Sequence, residues 1–471
     1  MIRLFHTYLP TRTLVLGISE WCLFALSFVA ACILRLGRAD AAVMLQYEQG
    51  LFKIVALSAI FFLCMYYFDL YDSTILGNRR EVLTRLVQAL GTICILLALA
   101  YYFYPPLKLG RGIVLIGLLF VVSILVLWRG LFLEFNGRPQ FAERTMIFGD
   151  ELAASRLSRE LLVRPELGLN IVGRILVSGS GNYHLDGEFQ SSSTTADRIT
   201  AEEIPAAIGS HHVTRVIVAL DDRRGRLPVG PLLAIKSGGV SIQDGATCYE
   251  QVTGKIDIES LRLGTLLFSS GFQLSRFVVV YKRVASILLA VIGLLLTLPV
   301  LPLIALAIKV TSPGRLLYHQ KRVGKDDVVF ECHKFRTMRA EAEADSGPTW
   351  AGDQDPRITR VGRFLRTARL DEIPQLWNVL KGDMSLVGPR PERPEFVDWL
   401  RKEIPYYYLR HTVRPGITGW AQTRYRYGST LEDTKEKLRY DLFYIKHMSP
   451  GLDAFILFDT VKTILLGRGA K

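Results

Sequence analysis

Two adjacent carboxylates, Asp371 and Glu372, open a stretch of residues 369–394 whose residue types suit chemistry on phosphate groups. Pro374 has the fixed φ that suits a first helical turn, and Gly382 stands where a helix would end. The carboxylates are therefore expected at the N-terminal end of a short helix. There the helix dipole favours negative charge, and free backbone N–H groups can face a bound phosphate.

A carboxylate can attack phosphorus as a nucleophile while its neighbour shares a divalent metal ion. Breaking a diphosphate also needs positive charge, because negative charge develops on the phosphate oxygens. The arginines close in sequence are Arg357, Arg360, Arg363, Arg366 and Arg369 upstream and Arg390 downstream. A carboxylate pair at a helix start is more often a cap, so the wider sequence must decide between the two interpretations.

The composition indicates that a membrane protein carries these residues. The 471 residues are 50% hydrophobic with a net charge of +13, which suits two to four domains and favours an anionic bilayer and phosphorylated substrates over nucleic acid. Six scattered cysteines without a CxxC pair predict a reducing compartment and neither structural zinc nor a disulfide framework.

Residues 1–140 are predicted to form a four-helix transmembrane bundle. Each apolar stretch is close to the ~20 residues that span a bilayer, and the stretches are 13–34, 51–70, 86–104 and 112–133. A small excess of Lys and Arg on alternate loops favours a cytoplasmic N-terminus.

Residues 141–275 are predicted to form a cytoplasmic α/β domain similar to nucleotide-binding folds. Short β runs, at 145–148, 171–177 and 213–219, alternate with helical patterns such as 152–162. The first turn lacks GxGxxG, so the domain is expected to have the shape of the fold without its ligand. The Gly- and Ser-rich stretch 178–195 predicts a mobile loop.

Residues 280–311 contain a fifth apolar run with basic residues on both flanks. Pro299 and Pro302 near its middle remove backbone donors and oppose a straight helix. A helix that enters the membrane, breaks and returns to the same face explains both observations. The alternative is a kinked helix that crosses the membrane.

Four motifs extend the carboxylate pair into a longer pattern. They are KFRTM at 334–338, DPRITRVGRFLR at 355–366, LDEIPQLWNVLKGDMSLVGPRP at 370–391 and RPGITGWAQ at 414–422. Together they resemble the monotopic phosphoglycosyl transferases that initiate bacterial glycoconjugate synthesis. The whole-chain plan resembles the long branch of that family, the polyprenyl-phosphate hexose-1-phosphate transferases, with residues 312–471 as a mostly α-helical catalytic domain at the membrane interface.

The resemblance implies a two-step reaction with Mg²⁺ as the ion. Asp371 would attack the sugar-bearing phosphate of a UDP-hexose, glucose or galactose, and release UMP. Undecaprenyl phosphate would then take the sugar phosphate from the enzyme. Glu372 would help to hold the metal ion or to balance protons. The phosphate-binding residues would be Lys334, Arg366 and Arg390. Arg357 is a fourth candidate because of its position upstream of the carboxylates.

The resemblance also implies a location and partners. The protein is expected in the bacterial inner membrane, with its catalytic domain on the cytoplasmic face among membrane lipids. A homodimer is expected for a separate reason, because the α/β domain without a ligand loop is interpreted as structural or regulatory and as helping dimer formation. The membrane helix breaks at Leu298-Pro299, where family members often carry Ser-Pro, so the shape of the break departs from the pattern.

Three other functions remain open. Asp353-Gln354-Asp355 is a DxD, as in metal-dependent glycosyltransferases, although three residues are a weak match. A nucleotide-sugar dehydratase or epimerase would need a dinucleotide fingerprint and a helical YxxxK, but the YxxxK at 104–108 contains two prolines. A non-catalytic scaffold for polysaccharide assembly is the third. The sugar and the polymer are not readable from the sequence.

Overall fold

The computed structural model describes residues 2–4, 7–76, 78–136, 142–178, 182–187, 197–261, 271–272, 275–339, 355–425, 428 and 430–466. The chain divides into two compact units. The first comprises residues 1–2 and 8–248, and the second comprises residues 3–7 and 249–471.

The first unit begins with long apolar helices. The elements up to residue 136 are β1 (Ile2–Leu4), β2 (Thr7–Leu9), α1 (Thr11–Leu36), α2 (Arg38–Tyr47), α3 (Gly50–Tyr67), α4 (Ser73–Leu76), α5 (Arg79–Phe103) and α6 (Arg111–Asn136). α1, α3, α5 and α6 are long and apolar enough to cross a membrane, and residues from all four share one apolar core. On the outside of α5, Leu83, Val87 and Ile95 are exposed, as expected of a lipid-facing surface. Long apolar helices near the N-terminus are therefore confirmed and are consistent with a membrane protein, whereas a transmembrane bundle of four helices stays a prediction.

A buried ion pair joins α1 to α6. Arg129 Nε donates to Glu20 Oε1 at 2.7 Å, and Tyr71 donates to the other Glu20 oxygen at 2.8 Å. Both charged side chains are almost fully buried. A charge in this apolar setting is tolerable only when it is paired, so the pair fixes how the two helices face each other.

A mixed six-stranded sheet completes the first unit. Its elements are β3 (Glu143–Gly149), α7 (Glu151–Leu162), β4 (Leu169–Ser178), β5 (Asn182–Gly187), β6 (Asp197–Ile199), α8 (Ile204–Ser210), β7 (Arg215–Ala219), α9 (Val229–Ser237) and β8 (Ser241–Asp244). α10 (Gly245–Thr253) begins in the first unit and belongs to the second unit from Tyr249 onward. The strand order is β6-β5-β4-β3-β7-β8, with β4, β3, β7 and β8 parallel and β5 and β6 antiparallel. The predicted α/β alternation is confirmed.

The predicted mobile loop 178–195 is wrong in part. Ser178 ends β4, and Asn182–Gly187 forms β5, which pairs with β4 from Gly173↔Gly187 to Ser178↔Asn182. Residues 179–181 and 188–195 lie outside the described residues. The pairing partner is a preceding strand, which a local count of Gly and Ser does not reveal.

At the carboxyl end of β3, where nucleotide folds hold phosphate, Asp150 occupies the turn. Its carboxylate accepts the N–H of Asp221 at 2.9 Å and pairs with Arg226. A Cβ on Gly149 would lie 2.0 Å from the carbonyl oxygen of Ala219, so the glycine serves close strand packing. A carboxylate at this turn opposes phosphate binding, in agreement with the missing GxGxxG.

The second unit contains the remaining described elements. They are α11 (Arg276–Thr297), α12 (Leu301–Thr311), β9 (Leu317–Val323), β10 (Val329–Phe335), α13 (Arg360–Thr367), α14 (Gln375–Lys381), β11 (Ser385–Val387), α15 (Pro394–Glu403), β12 (Gly416–Thr418), α16 (Trp420–Arg424), α17 (Leu431–Lys446) and α18 (Pro450–Leu465). β9 and β10 form an antiparallel hairpin, and β11 pairs in parallel with β12.

The core of the second unit also takes in the segment that follows α10. Ile256 and Ile258 belong to its main apolar cluster, and the indole of Trp420 donates to the Gly254 carbonyl at 2.9 Å. Composition alone assigned this segment to the α/β domain up to residue 275. Buried contacts, not composition, place it with the second unit.

The fifth apolar run is divided at its prolines. α11 ends at Thr297 and α12 begins at Leu301, with Pro299 between them and Pro302 in the first turn of α12. The Thr297 hydroxyl donates to the Gly293 carbonyl at 2.7 Å. A hydroxyl that donates to a carbonyl of the preceding turn helps to satisfy backbone acceptors where a helix ends in apolar surroundings.

Candidate active site

Four segments of the second unit converge on the carboxylate pair. β10 carries Lys334, α13 carries Arg366, a 3₁₀ turn at Leu370–Glu372 carries both carboxylates, and the loop after β11 carries Arg390. Asn378 on α14 fixes β10 beside this turn, because its side chain accepts the His333 N–H at 3.1 Å and donates to the Glu331 carbonyl at 2.7 Å.

The local chain path explains why both carboxylates turn inward. Arg369 adopts a left-handed backbone with φ 57°, which begins the 3₁₀ turn. α14 follows and ends at Gly382 with φ 105°, the glycine C-cap that the sequence predicted. α14 has seven residues, too short for its N-terminus to supply the main positive field. Side-chain cations supply it instead, among them Lys334 and Arg390, which the sequence predicted as phosphate-binding residues.

Glu372 is the centre of this cation cluster. Its Oε1 lies 2.7 Å from Arg390 Nη2, 3.3 Å from Lys334 Nζ and 3.7 Å from Arg369 Nη1. Burial alone would raise the pKa of the carboxyl, but these three cations outweigh it and lower the pKa below its usual range. Glu372 is thus ionised throughout the physiological range.

Asp371 has a different environment although it is the next residue. Its side chain is buried, and no described residue donates a hydrogen bond to it. Burial and the negative charge of Glu372 raise the pKa of Asp371, against the opposing effect of Lys334, Arg366 and Arg390. A carboxylate without hydrogen-bond donors is a stronger nucleophile than a solvated one, because less stabilisation is lost when it attacks.

The structure brings together three of the four predicted phosphate contacts. Lys334 and Arg390 touch Glu372, and Arg366, whose Nε donates to the Thr337 hydroxyl at 2.9 Å, faces Asp371 closely enough to affect its pKa. Arg357 instead pairs with Asp355 at 2.6 Å. Its role at phosphate stays a prediction.

The pairing of Asp355 also bears on the DxD interpretation. Asp355 is buried, and Arg357 holds its pKa below the ordinary value through a side-chain hydrogen bond. The other two residues of the motif, Asp353 and Gln354, lie outside the described residues. A carboxylate already neutralised by its own arginine is a poor metal ligand, which weakens the case for a DxD glycosyltransferase.

Sequence reasoning missed the residues that hold Arg390 in place. Arg410 Nη2 donates to the Arg390 carbonyl at 2.8 Å and to Asp441 at 3.0 Å, and Arg410 also donates to the Tyr407 hydroxyl at 2.5 Å. Burial raises the pKa of Asp441 to about 6, against the opposing charge of Arg410. The available signal was an aspartate within the apolar run of α17.

The donor set is compatible with a magnesium ion. Mg²⁺ is commonly held by one or two carboxylates together with substrate phosphates and waters. Asp371 accepts no hydrogen bond from the described part of the chain, whereas one oxygen of Glu372 is already engaged by cations. No cluster of three or more His, Cys, Asp or Glu ligands occurs within the described ranges, so substrate oxygens would have to complete the site.

A cleft of about 190 Å³ opens beside Glu372. Threonines and aliphatic side chains line it in addition to Arg369 and Glu372: Ile373, Leu376, Ile417, Thr418, Gln422, Thr423, Thr460, Thr463 and Ile464. The site therefore adjoins a mainly apolar surface that carries several hydroxyl groups.

Comparison with known proteins finds a family whose match includes the candidate site. Residues 277–467 match the family described as bacterial sugar transferase. A UDP-glucose:undecaprenyl-phosphate glucose-1-phosphate transferase of Xanthomonas campestris is 31% identical over 361 residues, which cover 74% of this chain and 72% of the relative. The resemblance deduced from the motifs is confirmed.

Two further relatives match mainly the second unit. A UDP-N-acetylgalactosamine-undecaprenyl-phosphate N-acetylgalactosaminephosphotransferase of Aeromonas hydrophila is 46% identical over 47% of the chain. A UDP-glucose:undecaprenyl-phosphate glucose-1-phosphate transferase of Escherichia coli is 47% identical over 38% of the chain. The matched region spans 52% of the first relative and 39% of the second.

Proposed function

Because the chain belongs to the bacterial sugar transferase family, we propose that it transfers a hexose 1-phosphate from a UDP-hexose to undecaprenyl phosphate. The observation that carries the proposal is the unequal pair of buried carboxylates. Glu372 is held ionised by three cations, whereas Asp371 beside it has no hydrogen-bond donor among the described residues. One residue suits a fixed charge and the other suits a nucleophile.

In the first step an Asp371 oxygen attacks the phosphorus that carries the sugar. A new O–P bond forms, the bond from that phosphorus to the bridging oxygen breaks, and UMP leaves with the bridging oxygen. Lys334, Arg366 and Arg390 stabilise the charge that develops on the phosphate oxygens. The product on the enzyme is an aspartyl phosphosugar.

In the second step an oxygen of undecaprenyl phosphate attacks the same phosphorus. The O–P bond to Asp371 breaks, the carboxylate is restored, and undecaprenyl diphosphate hexose leaves. A covalent intermediate lets one pocket serve two dissimilar substrates in turn. The apolar side of the cleft beside Glu372 is suited to the first isoprene units of the lipid.

A bound Mg²⁺ ion would neutralise charge on the substrate phosphates. Asp371 and Glu372 are the residues that would hold it together with phosphate oxygens. The side chains of Arg390 and Arg366 orient the phosphates. Arg410 holds Arg390 through a hydrogen bond to its backbone carbonyl, and the Thr337 hydroxyl holds Arg366.

The proposal places α11 and α12 as a re-entrant hairpin in the cytoplasmic leaflet of the bacterial inner membrane. Arg283 on α11 donates to the Val379 carbonyl at 2.5 Å, and Arg336 donates to the Ser312 carbonyl, just after α12, at 2.6 Å. Both ends of the hairpin thus bind the catalytic domain. α11 as a whole, Arg276–Thr297, is long and apolar enough to cross a membrane, so the re-entrant proposal rests on the break at Pro299 and on these two contacts.

Cysteine labelling tests this topology. Single cysteines placed just before Val284 and after Lys309, in a chain whose native cysteines are removed, should both react with an impermeant reagent from the cytoplasmic side. Reaction from opposite sides would mean that the helices cross the membrane. The same labelling, applied to the segments before α1 and after α6, tests the four-helix bundle and the cytoplasmic N-terminus. Both segments should react from the cytoplasmic side.

The nucleophile is tested by incubating the enzyme with UDP-hexose in the absence of undecaprenyl phosphate and then quenching the reaction. Intact-mass and peptide analysis should find a hexose phosphate on Asp371, with one UMP released per site. Asp371→Asn should abolish both, whereas Asp398→Asn, which removes an exposed carboxylate on α15, should change neither. Normal UMP release without an adduct would exclude the two-step mechanism.

The sugar is tested with a panel of UDP-glucose, UDP-galactose and UDP-N-acetylgalactosamine. The names of the relatives include both glucose and N-acetylgalactosamine transferases. UMP as the released nucleotide distinguishes phosphosugar transfer from a glycosyltransferase, which would release UDP. The expected homodimer stays a prediction, and light scattering of the purified protein would test it.

A further inference from the structure

A second basic pocket lies in the catalytic unit beside the first turns of α11. Its volume is about 50 Å³, which suits a group of a few heavy atoms rather than a whole nucleotide. Four cationic side chains line it together with hydroxyl groups: Lys282, Arg283, Lys325, Arg414, Ser286, Ser385 and Thr412. The described residues that pair with Glu372, namely Lys334, Arg369 and Arg390, do not line this pocket.

The positive charge of the pocket is only partly compensated. Lys282 pairs with Asp453 at 2.8 Å, and Lys325 lies 3.5 Å from the exposed Asp326. No described carboxylate lies within 4.0 Å of Arg283 or Arg414. Like charges that converge without a counter-charge repel one another, so an anion in the pocket is stabilised.

The two arginines meet at one point of the chain. Arg283 donates to the carbonyls of Val379 and Leu380, and Arg414 Nε donates to the carbonyl of Gly382 at 3.0 Å. These carbonyls close the C-terminal end of α14, whose dipole supplies at most about half a negative charge. Some guanidinium N–H groups of Arg283 and Arg414 are therefore used to cap α14. The two side chains still leave net positive charge at the pocket.

The position along α11 indicates the kind of anion. Exposed apolar side chains occur on α11 both before the pocket, at Phe277 and Val280, and after it, from Val284 to Leu296, so the basic pair Lys282 and Arg283 interrupts an apolar surface. Basic residues next to lipid-facing ones suit the level of the phosphate headgroups of a bilayer. The remaining lining is apolar and includes Val279, Met384 and Met448, which suits the glycerol or acyl end of a lipid.

We propose that this pocket binds the phosphate group of an anionic membrane lipid. The headgroup would lie between Arg283 and Arg414, with Lys325 completing the contact from the β9–β10 turn. Binding there would anchor the start of α11 and the end of α14 to the membrane surface. The proposal does not depend on the transferase activity.

The test uses the full-length protein in uncharged detergent and follows its thermal unfolding and its native mass spectrum. The probes are phosphatidylglycerol, phosphatidylcholine and inorganic phosphate. Lys325→Gln is the main variant because Lys325 is half exposed on a turn and caps no helix. Lys381→Gln is its matched control, because that lysine is also exposed and lies 3.3 Å from an aspartate.

Phosphatidylglycerol should stabilise the wild type and the Lys381→Gln variant. Its affinity for Lys325→Gln should fall about fivefold, the effect of one Lys near a membrane surface. The unfolding midpoint of the Arg414→Gln variant with phosphatidylglycerol is compared with that of the same variant without lipid. The lipid should not stabilise this variant at all. Stabilisation by inorganic phosphate with the same variant pattern would keep the anion site and assign it to free phosphate. Equal affinities of Lys325→Gln and Lys381→Gln, or no preference for phosphatidylglycerol over phosphatidylcholine, would overturn the proposal.

Discussion

Replacing Glu372 with glutamine removes the charge on which the cation cluster converges. At an effective dielectric constant of about 20, the contact of 2.7 Å with Arg390 alone corresponds to about 6 kcal/mol of attraction before the cost of desolvation. Breaking a buried pair costs about 3–5 kcal/mol in practice, because the partner charge is left uncompensated. The unliganded Glu372→Gln enzyme should therefore unfold at a clearly lower temperature.

A bound substrate should restore part of this loss. The diphosphate of a UDP-hexose brings negative charge to the same cations, so it should stabilise the Glu372→Gln variant more than the wild type. Turnover should nevertheless fall at least about 100-fold, comparable to losing one group that stabilises the transition state. Glu395→Gln, an exposed change of the same chemistry on α15, should leave both the stability and the rate unchanged.

The assay combines thermal unfolding, with and without UDP-hexose, and initial rates of UMP release at saturating Mg²⁺. Saturating metal separates a catalytic effect from weaker metal binding. Turnover of Glu372→Gln within a few-fold of the wild type would refute the assignment of this carboxylate. An unchanged unfolding temperature would refute the electrostatic argument.

Two further substitutions test other parts of the molecule. Glu20→Gln leaves Arg129 buried without its counter-charge, so the free energy of unfolding of the first unit should fall by about 3–5 kcal/mol, measured by denaturant unfolding in detergent. Burial, with help from neighbouring arginines, lowers the pKa of His411 to about 4. Between about pH 6.5 and pH 4 this histidine is therefore protonated in the unfolded chain but neutral in the folded one. The free energy of unfolding should fall as the pH is lowered from 6.5 towards 4. The loss should be smaller in His411→Asn, and a thermal unfolding series at several pH values measures it; equal pH profiles would contradict the assignment.

The sequence predicted those features that depend on neighbouring residues. The apolar stretches became α1, α3, α5 and α6, because a run of apolar residues of that length has few alternatives to a membrane helix. Gly382 ends α14 as expected, because a left-handed C-cap is a local property of glycine. The carboxylate pair could be found for the same reason, since its two members are adjacent in the chain.

The features that the sequence did not reveal depend on distant partners. Asn182–Gly187 becomes a strand through pairing with β4. Arg410 supports Arg390 only because Asp441, on a different helix, balances its charge. The cations Lys334 and Arg390 were predicted as residues, but their arrangement was not, since Lys334, Arg369 and Arg390 lie on separate segments and converge on Glu372 only in the folded chain.

The charges around the carboxylates fit each stage of the proposed cycle. Lys334, Arg366, Arg369 and Arg390 carry four positive charges, and Glu372 offsets one of them. The remaining three equal in number the negative charges of ionised Asp371 and a UDP-hexose, before the two positive charges of a bound Mg²⁺ ion are added. Once the sugar phosphate is on Asp371 and UMP has left, the site holds a phosphodiester with one negative charge, so two positive charges are uncompensated. That excess favours the entry of undecaprenyl phosphate, and it equally favours the return of UMP. Free UMP should therefore inhibit the second step by competing with the lipid phosphate, and inhibition that rising undecaprenyl phosphate does not relieve would show that the two anions do not share these cations.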